Sequence, residues 1–157
     1  MNSLRPILLV DDSLLDIELT ISALKRNHVA NEIIVARHGG EAMDFLHRRG
    51  EYQNRARGNP VVVFLDLKMP KVDGLEVLRQ IKSDPALKML PVVMLTSSRE
   101  ESDLIKSYQL GTNAYIVKPV GFEQFTEAIR ELGIFWAVLN EPPPDLSGGT
   151  PPPAKSA

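Results

Sequence analysis

VVVFLDLKMP, residues 61–70, is the stretch on which the reading of this chain turns. Val61 to Leu65 form an unbroken apolar run, and Asp66 follows at once. A strand that is apolar on both faces is buried on both, as in a parallel sheet. A lone charge buried at its end would cost on the order of several kcal/mol or change its protonation state. Asp66 therefore either caps the next element or stands at a strand end where chemistry needs it.

Outward from this run, four more short apolar segments read as strands: PILLV (6–10), EIIVA (32–36), PVVML (91–95) and AYIV (114–117). Helical spacing fills the gaps between them. Leu14, Ile17, Ile21 and Leu24 predict a helix over 13–27. Ala42, Phe45 and Leu46 predict a second, stopped by Gly50. Leu75, Leu78 and Ile81 mark a third, ended before Pro85. Leu104, Ile105 and Tyr108 mark a fourth within 99–111, and Phe122, Phe125, Ile129, Leu132, Phe135 and Trp136 a last one over 121–139. The segment 51–60 is polar, holds Gly58 and Pro60, and reads as a loop. Strand and helix alternating five times predict an α/β fold, a doubly wound five-stranded parallel sheet.

Bulk properties narrow the function. A chain of 157 residues suggests one domain. The net charge of −2 gives no electrostatic footprint for nucleic acid or an anionic membrane. With no cysteine, disulfides, thiolate catalysis and cysteine-ligated zinc are excluded. The start, MNSLRPILLVDD, does not read as a signal peptide, and no apolar run approaches the ~20 residues of a membrane span. A cytoplasmic setting is the expectation. Residues 140–157 are rich in Pro, Gly and Ser, a composition that predicts a disordered tail beyond a domain over 5–139.

The polar residues fall in a pattern. The first strand ends in Asp11 and Asp12, the third in Asp66, the fourth in Thr96, Ser97 and Ser98, and the fifth in Lys118 and Pro119. In an open parallel sheet these positions share one edge, where ligand sites gather. Three carboxylates, a hydroxyl and an ammonium converge there. Clustered carboxylates repel one another unless a cation joins them, and hard oxygen donors suit Mg²⁺. Asp66 would then act as a carboxylate nucleophile toward phosphorus. The cation and Lys118 would neutralise charge on the transferred group, and Thr96 would donate its hydroxyl to it.

ILLVDDS, FLDLKMPKVDG, VVMLTSS and AYIVKPV, in that order and spacing, resemble the receiver domains of two-component response regulators across residues 5–139. The resemblance implies a sheet of strand order 2-1-3-4-5, flavodoxin-like. It implies that Asp66 accepts phosphate from the phosphohistidine of a sensor histidine kinase, as a phosphoacceptor switch rather than an enzyme. It makes Asp12 a direct Mg²⁺ ligand, Asp11 one mainly through water, and the Lys68 carbonyl the last protein ligand. Thr96 and Tyr115 become a switch pair, and Lys118 the phosphate-contacting lysine, with a cis peptide before Pro119. Pro70 and Gly74 fit the loop after the acceptor. The segment FLHRRGEYQNRARGNP (45–60) and the Phe135–Trp136 pair are similar to small receivers paired with phytochrome kinases. That narrower resemblance implies a bacteriophytochrome as the kinase, and a homodimer through the fourth helix, fifth strand and fifth helix. No DNA-binding helix pair fits after residue 139.

Blander readings stand beside these. Asp11 and Asp12, or Ser13, would cap the first helix. Thr96 alone would cap the fourth, Lys118 alone would be a solvated lysine, and Tyr115 alone a packing residue. His28, His38 and His47 have no metal-pair spacing and read as surface residues. Three other functions compete. An aspartyl-phosphate phosphatase wants a second acid two residues after the nucleophile, where Lys68 stands. A flavin module wants a phosphate-cradling loop after the first strand, where DDSLLD offers carboxylates. A scaffold without phosphorylation would not need the acidic set.

Overall fold

The structure is a computed structural model and describes residues 5–56, 58–67, 69, 73–97, 109, 111, 114–134 and 138. Lys68, Pro70, Ser98, Leu104, Ile105 and Tyr108 of the predicted fourth helix, the Phe135–Trp136 pair and the tail from 140 lie outside the described residues.

The elements run β1 (Ile7–Val10), α1 (Leu14–Arg26), β2 (Ile33–Ala36), α2 (Gly39–His47), a 3-10 turn (Gly50–Tyr52), β3 (Val62–Asp66), α3 (Gly74–Ser83), β4 (Val92–Thr96), β5 (Ala114–Val117) and a C-terminal helix (Phe122–Leu132). The strands form one sheet in the order β2-β1-β3-β4-β5, all parallel. This is the doubly wound arrangement expected from the sequence.

Alternation along each strand divides the core in two. Ile7, Leu9, Val62, Phe64, Val93, Leu95 and Ile116 face Ile17 and Leu24 of α1 and Phe125, Ala128 and Ile129 of the C-terminal helix. Leu8, Val10, Val63, Leu65, Val92 and Met94 face Ala42, Phe45 and Leu46 of α2 and Val77, Leu78 and Ile81 of α3. Phe64 stacks on Phe125 at 5.5 Å between ring centroids. Each such fully buried side chain contributes about 1.5–3 kcal/mol by leaving water.

Helix starts are fixed by side-chain caps that satisfy otherwise unpaired N–H groups. The Ser13 hydroxyl accepts from the Asp16 N–H at 3.2 Å, His38 Nδ1 from the Glu41 N–H at 3.1 Å, and Asp73 Oδ1 from the Glu76 N–H at 3.0 Å. Two expectations are corrected. Leu14, grouped by helical spacing with Ile17, Ile21 and Leu24, is 56% exposed in the first turn of α1. The second helix is stopped by Arg48 rather than Gly50. Arg48 adopts the left-handed conformation (φ 57°) at the C-cap, and Gly50 opens the following turn.

Candidate functional site

Ladder geometry sets the edge. The Asp11 N–H donates to the Ala36 carbonyl at 3.0 Å, the Leu67 N–H to Leu95 at 2.8 Å, and the Lys118 N–H to Thr96 at 2.8 Å. These bonds continue the parallel pairing one step past the strands. They bring the ends of β1, β3, β4 and β5 to one line. Asp66 is the last residue of β3 and pairs in register with Leu95, one residue before Thr96. The peptide between Lys118 and Pro119 is cis.

Lys118 lies at the centre. Its Nζ stands 2.9 Å from Asp11 Oδ2, 3.0 Å from Asp16 Oδ2 and 3.3 Å from Asp66 Oδ1. Asp11 and Asp66 are buried, at 1% and 5% exposure, and Thr96 is buried at 2%. Asp12, Ser13, Asp16, Asp66, Thr96 and Lys118 line one open cleft, with Leu67 and Ser97 completing it. The structure thus brings together Asp11, Asp12, Asp66, Thr96 and Lys118. Tyr115 is not among the residues that line this cleft. It pairs with Met94 across β4–β5 and packs, partly buried, against the core face of α2 and α3. The Lys68 carbonyl falls outside the described residues.

The electrostatics follow from burial. Desolvation, and then the charge of Asp11, push the Asp66 carboxyl above the usual carboxylate range, while Lys118 pulls it back. For Lys118, burial opposes the charge. The hydrogen bonds to Asp11 and Asp16 outweigh it and raise the ammonium above the ordinary lysine value.

Oxygens of Asp11, Asp12 and Asp66 lie within 4.8 Å of one another. Three hard oxygen donors, two of them on buried carboxylates that repel each other, fit a divalent cation that takes oxygen ligands. The neighbouring ammonium fits an anionic group beside that cation. The site combines a carboxylate nucleophile, a place for a cation and a fixed positive charge, the parts that phosphoryl transfer needs.

Sequence reasoning missed Asp16. Its signal is the third acid of DDSLLD, which reads as an ordinary first-turn acid until the fold places Lys118 against it. Two histidines also have structural partners. His38 caps α2, and His47 Nε2 lies 3.0 Å from Asp84 Oδ2; all three histidines are exposed.

Residues 7–130 match the family described as the response regulator receiver domain. Response regulator Rcp1 of Synechocystis sp. is 42% identical over 135 residues, 86% of this chain and 90% of that protein. A crystal structure of Rcp1 in a Mn²⁺-bound form superposes with a TM-score of 0.69 at 40% identity, covering 94% of this chain and 99% of the other. The structure of the bacteriophytochrome response regulator AtBRR superposes with a TM-score of 0.82 at 60% identity, covering 89% of this chain and all of that one (100%). The phosphorylated cyanobacterial phytochrome response regulator RcpA superposes with a TM-score of 0.71 at 41% identity, covering 96% and 99%.

Proposed function

This chain belongs to the response regulator receiver domain family, and from that premise we propose that it is a phosphoacceptor switch that takes a phosphoryl group on Asp66 from a sensor histidine kinase of the bacteriophytochrome class. The observation that carries the reading is the Lys118 ammonium held within 3.3 Å of Asp66 Oδ1 and 2.9 Å of Asp11 Oδ2 at the carboxyl edge of the sheet.

In this reading an Asp66 oxygen attacks the phosphorus of a phosphohistidine. A P–O bond forms, the P–N bond breaks, and the imidazole leaves with the bonding pair. Lys118 places a fixed positive charge beside the oxygens of the transferred group, and buried Thr96 offers a hydroxyl to one of them. Asp11, Asp12 and Asp66, with the carbonyl of Lys68, would hold Mg²⁺, which supplies charge neutralisation and in-line alignment. The same residues assist hydrolysis of the acyl phosphate, which resets the switch. The Mn²⁺ form of Rcp1 and the phosphorylated RcpA support a metal-dependent acceptor.

The signal leaves through Thr96 and Tyr115, which lie on adjacent strands. β5 is an edge strand of the sheet, so a homodimer through the predicted fourth helix, β5 and the C-terminal helix would sense their rearrangement. Residues 5–139 form the receiver unit and 140–157 its tail, acting in the cytoplasm beside the kinase. Among the described residues no helix is long and apolar enough to cross a membrane.

The test is phosphorylation of wild type and Asp66→Asn by acetyl phosphate with Mg²⁺. Wild type is expected to form a hydroxylamine-labile acyl phosphate, and the variant none. Normal uptake by Asp66→Asn would overturn the assignment.

A further inference from the structure

Asp16 neither accepts the phosphoryl group nor belongs to the carboxylate cluster, yet it holds the central ammonium. Lys118 Nζ donates to Asp16 Oδ2 at 3.0 Å, next to the 2.9 Å contact with Asp11 and closer than the 3.3 Å contact with Asp66. Asp16 sits in the first turn of α1, three residues after the Ser13 N-cap. In that position an acid ordinarily reaches back to the N-cap N–H. Here the Ser13 N–H is taken by Asp11 Oδ1 at 3.0 Å. The Asp16 carboxylate is thereby turned from capping toward Lys118 and lines the cleft that holds Asp66.

An ammonium has three N–H donors, and three carboxylates surround this one. Asp11 and Asp66 are buried and belong to the cluster that fits a cation. Asp16 is the partner outside that cluster, with its side chain 31% exposed. We propose that Asp16 is a positioning residue that shares the Lys118 ammonium with the phosphoryl site and sets how much of its charge an incoming phosphoryl group receives. The proposal rests on the reading of Asp66 as acceptor. The hold fixes the ammonium from the open side of the cleft. It also spends part of its charge on a carboxylate, and adds a negative charge where an anionic donor must approach.

The experiment compares initial rates of phosphoryl incorporation from phosphoramidate at saturating Mg²⁺ in wild type, Asp16→Asn, Asp16→Glu, Lys118→Ala and the Asp16→Asn/Lys118→Ala double variant. Asp16→Asn keeps the size and an acceptor oxygen but removes the charge. It is expected to react about three- to tenfold faster, the scale of one charge interaction in a partly exposed site. Asp16→Glu is expected to return toward wild type, and Asp16→Asn to change the rate less than twofold when Lys118 is absent. An unchanged or slower Asp16→Asn overturns the proposal. So does equal acceleration in the Lys118→Ala background, which would assign the effect to charge alone. In the absence of donor, the Lys118 ammonium protons should give a slowly exchanging NMR signal that broadens in Asp16→Asn, and an equally sharp signal in the variant overturns the hold. A wild type that takes up no phosphoryl group fails the acceptor reading instead, and the NMR result then stands apart from it.

Discussion

A Cβ on Gly74 would lie 2.1 Å from the carbonyl oxygen of Asp66 and 2.9 Å from the Cα of Leu67. The first turn of α3 therefore begins hard against the end of β3, and the Gly74 N–H donates to the Leu67 carbonyl at 2.9 Å. The obstructing atoms are backbone, so no rotamer change relieves them. Gly74→Ala is expected to destabilise the protein by about 1–3 kcal/mol, the usual range for overpacking, as read from the urea midpoint. Displacement of Asp66 should also slow its phosphorylation. A midpoint equal to wild type would contradict this close approach.

Lys118 is 10% exposed in its side chain and neutralises two buried carboxylates, Asp11 and Asp66. Removing one partner of a buried ion pair leaves the other charge unpaired, at a cost of about 3–5 kcal/mol before relaxation. Lys118→Ala is therefore expected to lower the melting temperature in metal-free buffer. A divalent cation replaces part of the lost charge, so Mg²⁺ should raise the melting temperature more in the variant than in wild type. Equal Mg²⁺ shifts in the two proteins would show that the ammonium and the cation do not share these carboxylates.

The convergence of Asp11, Asp12, Asp66, Thr96 and Lys118 was legible because a parallel sheet leaves no choice. Once five apolar runs alternate with helices, residues that follow the strands must share one edge. The Lys118–Asp16 contact was not legible, since a third acid in a first helical turn has an ordinary role as a cap and dipole partner. Leu14 shows the complementary failure. Helical spacing puts it with Ile17, Ile21 and Leu24, but periodicity does not say which turns of the helix are covered. Leu14→Ser is accordingly expected to change stability by less than about 0.5 kcal/mol, as at exposed sites generally. Leu24→Ala, at 1% exposure, should cost about 2–5 kcal/mol. Denaturant titration of the two variants separates them, and comparable losses would put Leu14 back in the core.

Tyr52 joins the segment before β3 to α2 through a side-chain pair that no local pattern announces. Its phenol donates to Glu41 Oε2 at 2.7 Å, and its ring meets Phe45 edge-on at 5.2 Å between centroids. The hydrogen bond to Glu41, then burial, then the Glu41 charge push the phenol pKa up to about 12. In the unfolded chain the group titrates near 10. The folded state therefore holds this proton more tightly, and the contribution to stability is fully present below pH ~10 and lost as pH rises toward ~12. Tyr52 is only partly buried, and solvent screens its interaction with Glu41, so the loss is expected to be small. The titration itself is the better readout. Tyrosinate absorbance should show a late-ionising tyrosine that disappears in Tyr52→Phe and moves back toward ~10 in Glu41→Gln. A Glu41→Gln protein whose last tyrosine still titrates where the wild type's does would show that Glu41 does not hold the phenol proton.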